Sequence, residues 1–279
     1  MANFEKMTQE EYKSLREFIY EKSGMFFSDA KLYFIENRVS KRLEALKCPS
    51  YRQYIQHIQR PSNQKELFTL FDRITTNETS FYRNPPQIDA FKNNLLPKLV
   101  KTVKESGRRT LKIWSSACSS GEEPLTLAMV VKEKAALLNG MSVQIFASDI
   151  SNDMLEKARQ GIYTDYSMRN LPDIYKQRWF KKVDGNYTVD PELKRMITYQ
   201  RFNLVDYKSY YKFKSMDTIF CRNVLIYFDL KVKRDIINAF HQALNTEAYL
   251  VIGHAESLHN ISKDFKLEHF SRAIAYLKP

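Results

Sequence analysis

Cysteine is nearly missing from this chain: Cys48, Cys118 and Cys221 are its 3 cysteines among 279 residues. An odd, widely spaced set excludes a disulfide framework or a structural zinc site as the organising device, and it fits a reducing cytosol. Glycine is scarce as well, with 7 residues, so each is expected to mark a turn. No run of about 18 apolar residues occurs, so no transmembrane helix is expected. The stretch Met1–Lys6 lacks the apolar region of a secretory signal. His254 and His259 do not stand in a His-Glu-x-x-His pattern, and no metal site is expected. Acid is also short, with 32 Asp and Glu against 44 Lys and Arg, which leaves a net charge of +12. That balance favours an acidic partner, whether nucleic acid, an anionic membrane surface or an acidic protein, and it is equally compatible with a merely solvated basic surface.

What is present is organised around Leu111–Ile150. The apolar run Leu111-Lys112-Ile113-Trp114 breaks into the small-residue turn Ser115–Gly121 and continues as Glu122-Glu123-Pro124 with apolar residues at helical spacing. A second apolar run, Val143–Ala147, ends on Ser148-Asp149. Strand, turn, helix, strand and acid make one βαβ unit, with Asp149 placed to take a ribose hydroxyl pair. A nucleoside-containing cofactor follows. The turn carries one glycine, not G-x-G-x-x-G, and two glutamates come directly after it. That suits a pyrophosphate poorly and a cofactor with a cationic end better. S-adenosylmethionine has such an end.

Before this unit the chain reads as helical to about residue 75. Thr8-Gln9-Glu10-Glu11 is a capping-box pattern and Gly24 a C-cap. A second helix, from about Ala30 to Leu46, carries Arg38, Lys41 and Arg42 off its apolar stripe. Arg73–Arg83 is a polar loop, and Asn84-Pro85-Pro86-Gln87 follows it. Asn-Pro-Pro before an aromatic is a base-methylation motif. Here the fourth residue is Gln87, so a helix start reinforced by prolines is preferred, with the helix ending near Pro97. After the unit, Phe180–Val183, Asp184-Gly185 and Asn186–Val189 read as a β hairpin. Strands are expected at Met196–Phe202, Met216–Cys221 and Ala248–His254, and a closing β ribbon at Lys266–Leu277. Cys118 and Cys221 are read as small buried side chains, and Asp206 as a loop cap or a pocket residue.

Several of these segments, taken together, resemble the bacterial chemotaxis receptor glutamate methyltransferases (CheR). They are Thr76–Arg83, Trp114–Pro124, Phe146–Ile150, Phe220–Phe228 and Gly253–Ser257, and the likeness extends over nearly the whole chain. It implies a class I S-adenosylmethionine-dependent methyltransferase: a Rossmann-like α/β fold, mostly parallel, with an antiparallel last strand. Residues 1–75 would be a receptor-docking helical bundle and 76–92 a linker contributing to the cofactor site. The methyltransferase domain would be 93–279, with a β insertion at about 180–202. The cofactor would be S-adenosylmethionine, leaving S-adenosylhomocysteine.

The resemblance also implies roles. Asn77, Thr79 and Arg83 would line the cofactor pocket from the loop. Glu123, rather than Glu122, would take the methionyl ammonium and Asp149 the ribose. Asn203 and Leu204 would flank the adenine, and Arg222 and Asn223 would lie beside the cofactor. Arg83 and Tyr227 would serve catalysis, with Tyr227 facing the methyl. Arg38, Lys41 and Arg42 would dock methyl-accepting chemotaxis receptors, whose methylation regions are rich in glutamate. A cytoplasmic monomer that takes neither nucleic acid nor a membrane is expected. Some relatives bind a receptor tether peptide through a longer, glycine-rich hairpin; the tight Asp184-Gly185-Asn186 turn points to tether-independent docking. Two other readings remain open here, a nucleic-acid base methyltransferase and a non-catalytic S-adenosylmethionine sensor.

Overall fold

Thr8 caps the first helix, α1 (Gln9–Ser23). Its hydroxyl accepts from the Glu11 N–H while the Glu11 carboxylate accepts from the Thr8 N–H, the reciprocal box expected. The structure, a computed structural model, describes residues 5–279. Most of the Met1–Lys6 stretch discussed above therefore lies outside the described residues. Gly24 ends α1 at φ 72°. A Cβ there would stand 2.5 Å from Val205, so this C-cap is also where the bundle presses on the following domain. Helices α2 (Leu32–Leu46), α3 (Tyr51–Gln59) and α4 (Gln64–Ile74) complete the bundle. Their buried residues join one apolar cluster with Trp114, Phe202, Phe213 and Phe240 of the next domain. Trp114 stacks on Phe213 with ring centroids 3.8 Å apart at the centre of that shared core.

Asn84 caps α5 (Pro85–Ala90) through its side chain, with Pro85 in the first turn, so the Asn-Pro-Pro run is a helix start as read. The helix does not stop near Pro97. It passes through a π turn, Phe91–Leu95, into α6 (Leu96–Glu105). Pro97 lacks an N–H and its ring would crowd a carbonyl one turn back; the wider turn, in which the Leu96 N–H reaches Phe91 O, accommodates it.

The main sheet starts with β1 (Thr110–Ser115), followed by α7 (Glu122–Glu133), α8 (Ala135–Leu138), β2 (Ser142–Asp149) and α9 (Asn152–Gln160). Next come β3 (Ile162–Tyr163), α10 (Asp165–Met168), α11 (Asp173–Trp179), β4 (Phe180–Val183), β5 (Asn186–Val189) and α12 (Pro191–Lys194). The chain finishes with β6 (Ile197–Arg201), β7 (Met216–Cys221), α13 (Leu230–Ala243), β8 (Leu244–Ile252), β9 (Lys266–Phe270) and β10 (Ala273–Lys278). The sheet order is β6-β2-β1-β7-β8-β10-β9. The strands from β6 to β8 pair parallel, and β10 runs antiparallel between β8 and β9. Strand order reverses at β1 and β7, the place where an open α/β sheet leaves a crevice at its carboxyl edge.

The β insertion differs in extent from the expected 180–202. It is a three-stranded sheet, β3-β5-β4, that begins at Ile162 and ends at Val189. β6, counted in it from sequence, belongs to the main sheet and pairs with β2 from Ile145↔Ile197 to Asp149↔Arg201. The hairpin turn itself is as read, with Asp184 at φ 48° and Gly185 at φ 79°.

Candidate active site

At the crevice the chain leaves β1 and turns through Ser116–Gly121 into α7. Gly121, at φ 94°, is needed for packing: a Cβ there would sit 2.8 Å from Ala158 Cβ on α9. It therefore seats α7 against α9. The two glutamates that open α7 then part company. Glu122 is 2% exposed, and its carboxylate accepts from Ser120 Oγ at 2.7 Å and Ser167 Oγ at 3.0 Å. Burial raises its pKa, against the pull of those hydroxyls. Glu123 faces the crevice. Its Oε1 accepts from Ser115 Oγ at 2.7 Å and its Oε2 from Arg222 Nη1 at 3.1 Å.

Asp149 ends β2 on the same wall. Oδ2 accepts from the Ser119 N–H at 2.8 Å and Oδ1 from the Ser151 N–H at 2.9 Å. Burial lifts its carboxyl above the ordinary aspartate value, and the two amides oppose the lift. Arg222 follows β7 and is buried. Nε donates to Gln87 Oε1 at 3.0 Å, Nη1 to Glu123, and Nη2 to Arg83 O at 2.6 Å. Burial pushes this guanidinium down from its usual value while the Glu123 carboxylate holds it up. Asn223 stands next, at φ 58°, with its N–H donating to Glu256 Oε2 at 3.0 Å.

The opposite wall is the loop 75–83. Asn77, Thr79 and Arg83 all line the cleft from it. Arg83 Nη1 donates to Glu78 O at 2.7 Å, and Tyr227 Oη reaches across to Thr76 O at 3.3 Å. Phe81 anchors the loop's end, its ring edge-on to Tyr163 and Phe180 at 4.7 and 5.0 Å. Asn203 and Leu204, past β6, close the far end of the cleft. Asn203 Nδ2 donates to Lys22 O at 2.7 Å, so its amide also ties the bundle to this domain.

All the cofactor residues expected from sequence, and Tyr227, thus border one cleft. Glu122 and Asp206 do not border it. Two contributors had gone unnoticed: Ser115, whose hydroxyl holds Glu123, and Gln87, which holds Arg222. Neither could be found without knowing which strand ends meet.

Residues 77–274 match the family model described as CheR methyltransferase, SAM binding domain, and residues 10–75 match the CheR methyltransferase all-alpha domain. The chain belongs to the CheR methyltransferase family. Chemotaxis protein methyltransferase 2 of Vibrio cholerae is 32% identical over 98% of this chain and 94% of its own length. The chemotaxis protein methyltransferase of Borreliella burgdorferi is 36% identical over 90% of this chain and 89% of its own. Chemotaxis protein methyltransferase 1 of Pseudomonas aeruginosa is 34% identical over 95% of this chain and 97% of its own. This CheR methyltransferase is accordingly an S-adenosylmethionine-dependent enzyme.

The cleft fits that cofactor by its donor set. Two carboxylates, Glu123 and Asp149, line the strand side, acceptors of the kind that a cation and hydroxyls call for, and no glycine-rich phosphate cradle is present in the turn. Among the described residues no His, Cys, Asp and Glu cluster could hold a metal, and no helix is long and apolar enough to cross a membrane.

Of the three basic residues expected on the α2 docking face, two are exposed. Arg38 and Lys41 are exposed, with Arg38 lying over the Phe34 ring at 5.3 Å. Arg42 turns inward. Its Nε and Nη2 donate to both oxygens of Glu66 at 2.9 and 2.8 Å, and Tyr54 Oη shares that carboxylate. A buried carboxylate on α4 needs a bidentate partner, and Arg42 supplies it.

Proposed function

We propose that this chain transfers the methyl group of S-adenosylmethionine to glutamate side chains of methyl-accepting chemoreceptors, giving methyl esters and S-adenosylhomocysteine. The observation that carries the reading is the pair of carboxylates, Glu123 and Asp149, on one wall of a cleft that Arg83 enters from the loop and Tyr227 from the turn after β7. The named relatives, all chemotaxis protein methyltransferases, support the substrate class.

Bound S-adenosylmethionine supplies a methyl on a sulfonium, ready for in-line displacement. Glu123 takes the cationic amino acid end and Asp149 the ribose hydroxyls, with Asn203 and Leu204 beside the base and Asn77, Thr79 and Asn223 along the chain between. A glutamate with a reference pKa of about 4.3 is already ionised at neutral pH, so no residue is needed as a general base. Arg83 and Tyr227 orient the incoming carboxylate and exclude water from it. Arg222 acts as scaffold, since its nitrogens are committed to Gln87, Glu123 and Arg83 O.

Arg38 and Lys41 dock the acidic receptor region, without a tether peptide at the tight hairpin, and the enzyme works as a cytoplasmic monomer. A base-methylating enzyme is the less favoured reading, because Gln87 stands where that motif needs an aromatic. One assay decides: methyl-labelled cofactor incubated with chemoreceptor membranes or with nucleic acid. Base-labile label on receptor is expected; stable label on nucleic acid would overturn the proposal.

A further inference from the structure

We infer that Gln87 is a positioning residue for this reaction, acting on the cofactor wall through Arg222. The inference rests on the proposed role of Glu123. Gln87 lies in the first turn of α5 and is 3% exposed. Its side chain leaves the helix for the strand ends: Nε2 donates to Ile252 O at the end of β8, at 2.7 Å, and Oε1 accepts from Arg222 Nε at 3.0 Å. Only an amide offers a donor at one corner and an acceptor at the other at this length.

The guanidinium is a rigid planar fork, so fixing Nε fixes the directions of both terminal nitrogens. One of them holds Glu123 Oε2, at 3.1 Å. The other holds Arg83 O at 2.6 Å, and so the end of the loop wall. One buried amide thus sets the plane from which both walls of the cleft are hung. Remove it, and a fully buried Nε–H and the Ile252 carbonyl lose their partners together. The guanidinium can then rotate toward Ile252 O, drawing the Glu123 carboxylate with it.

The test is calorimetric titration of S-adenosylhomocysteine into the full chain, with wild type, Gln87→Leu, Glu123→Gln and the double variant, each checked for a folded thermal transition. Gln87→Leu is expected to weaken binding about tenfold. Because it acts through Glu123, the double variant should bind within about twofold of Glu123→Gln alone. A purely structural role would instead give losses that multiply, and that result overturns the inference. So does wild-type affinity in a folded Gln87→Leu while Glu123→Gln is impaired. Wild-type affinity in Glu123→Gln removes the underlying reading, and this inference with it. Should Gln87→Leu fail to fold, Gln87→Met, of equal length and greater flexibility, orphans the same two groups and is held to the same outcomes.

Discussion

On the strand side of the cleft, the side chains of Glu123, Asp149 and Arg222 are held by groups from other elements; on the loop side, the side chains of Asn77 and Arg83 bond within the loop, while its backbone is pinned from outside. Arg222 reaches residues 135, 99 and 139 positions away, and Asp149 accepts from an amide 30 positions away. Asn77 Nδ2 donates to Thr75 and Arg83 Nη1 to Glu78 O, bonds spanning 2 and 5 positions. The loop backbone is cross-linked to other elements along its length, with Tyr227 Oη donating to Thr76 O, Ser119 Oγ to Asn77 O, Arg169 Nη1 to Thr79 O and the Phe81 N–H to Ser167 O. A side chain cross-linked at long range is fixed in place, whereas one bonded only within its own loop can turn while the backbone stays pinned. In the proposed complex this divides the labour: the locked strand-side carboxylates hold the cofactor, and the Arg83 side chain adjusts to the substrate.

The largest effect should come from cutting the strand wall at its centre. Arg222→Met leaves the Glu123 carboxylate and the Gln87 amide without their partner and should cost about 3–5 kcal/mol. A fall in Tm of roughly 10 °C is expected in calorimetry, with cofactor binding lost; a stable variant that binds normally would break the comparison. Asp149→Asn should weaken S-adenosylhomocysteine binding by about 10- to 100-fold with little change in fold. Its pH dependence sharpens the point. In the proposed complex the anion accepts the ribose hydroxyls, and burial has raised the carboxyl. Wild-type affinity should therefore be full at high pH and fall as pH drops through a range above the ordinary aspartate value, while Asp149→Asn stays flat. Tyr227→Phe, which cuts the side-chain bond from the turn after β7 to Thr76 of the loop, should lower turnover about tenfold and leave cofactor affinity within about twofold. The smallest effect should come from α2. Arg38→Glu with Lys41→Glu should raise the KM for receptor membranes several-fold, in a salt-dependent way, without touching cofactor affinity. A change in cofactor affinity there would mean that the bundle and the cleft are coupled.

Legibility in the sequence followed the range of the interactions. The Thr8 box, the Gly24 cap and the Asp184-Gly185 turn are all settled within a few residues, and the Ser115–Gly121 turn and its acid lie within one βαβ unit. Each was readable. Arg42 was misplaced because its partner, Glu66, lies 24 positions away on another helix. The π turn before Pro97 depends on a helix held on both sides by packing, which the local proline rule does not see. β6 was assigned to the insertion because nothing in Ile197–Arg201 names β2 as its neighbour. Gln87 looked like a failed motif; its meaning depends on Arg222 and Ile252, both more than a hundred positions on.

The division between the walls can be tested most directly at Arg83, whose side chain belongs to the loop while its carbonyl is gripped by Arg222. The measurement is single-turnover methyl transfer to chemoreceptor membranes at saturating S-adenosylmethionine, comparing Arg83→Ala with wild type, beside the dissociation constant of S-adenosylhomocysteine for each. The carbonyl survives the substitution, so affinity should stay within about threefold while the transfer rate falls on the order of 100-fold. Equal transfer rates, or a loss of affinity that accounts for the whole loss of rate, would contradict the account.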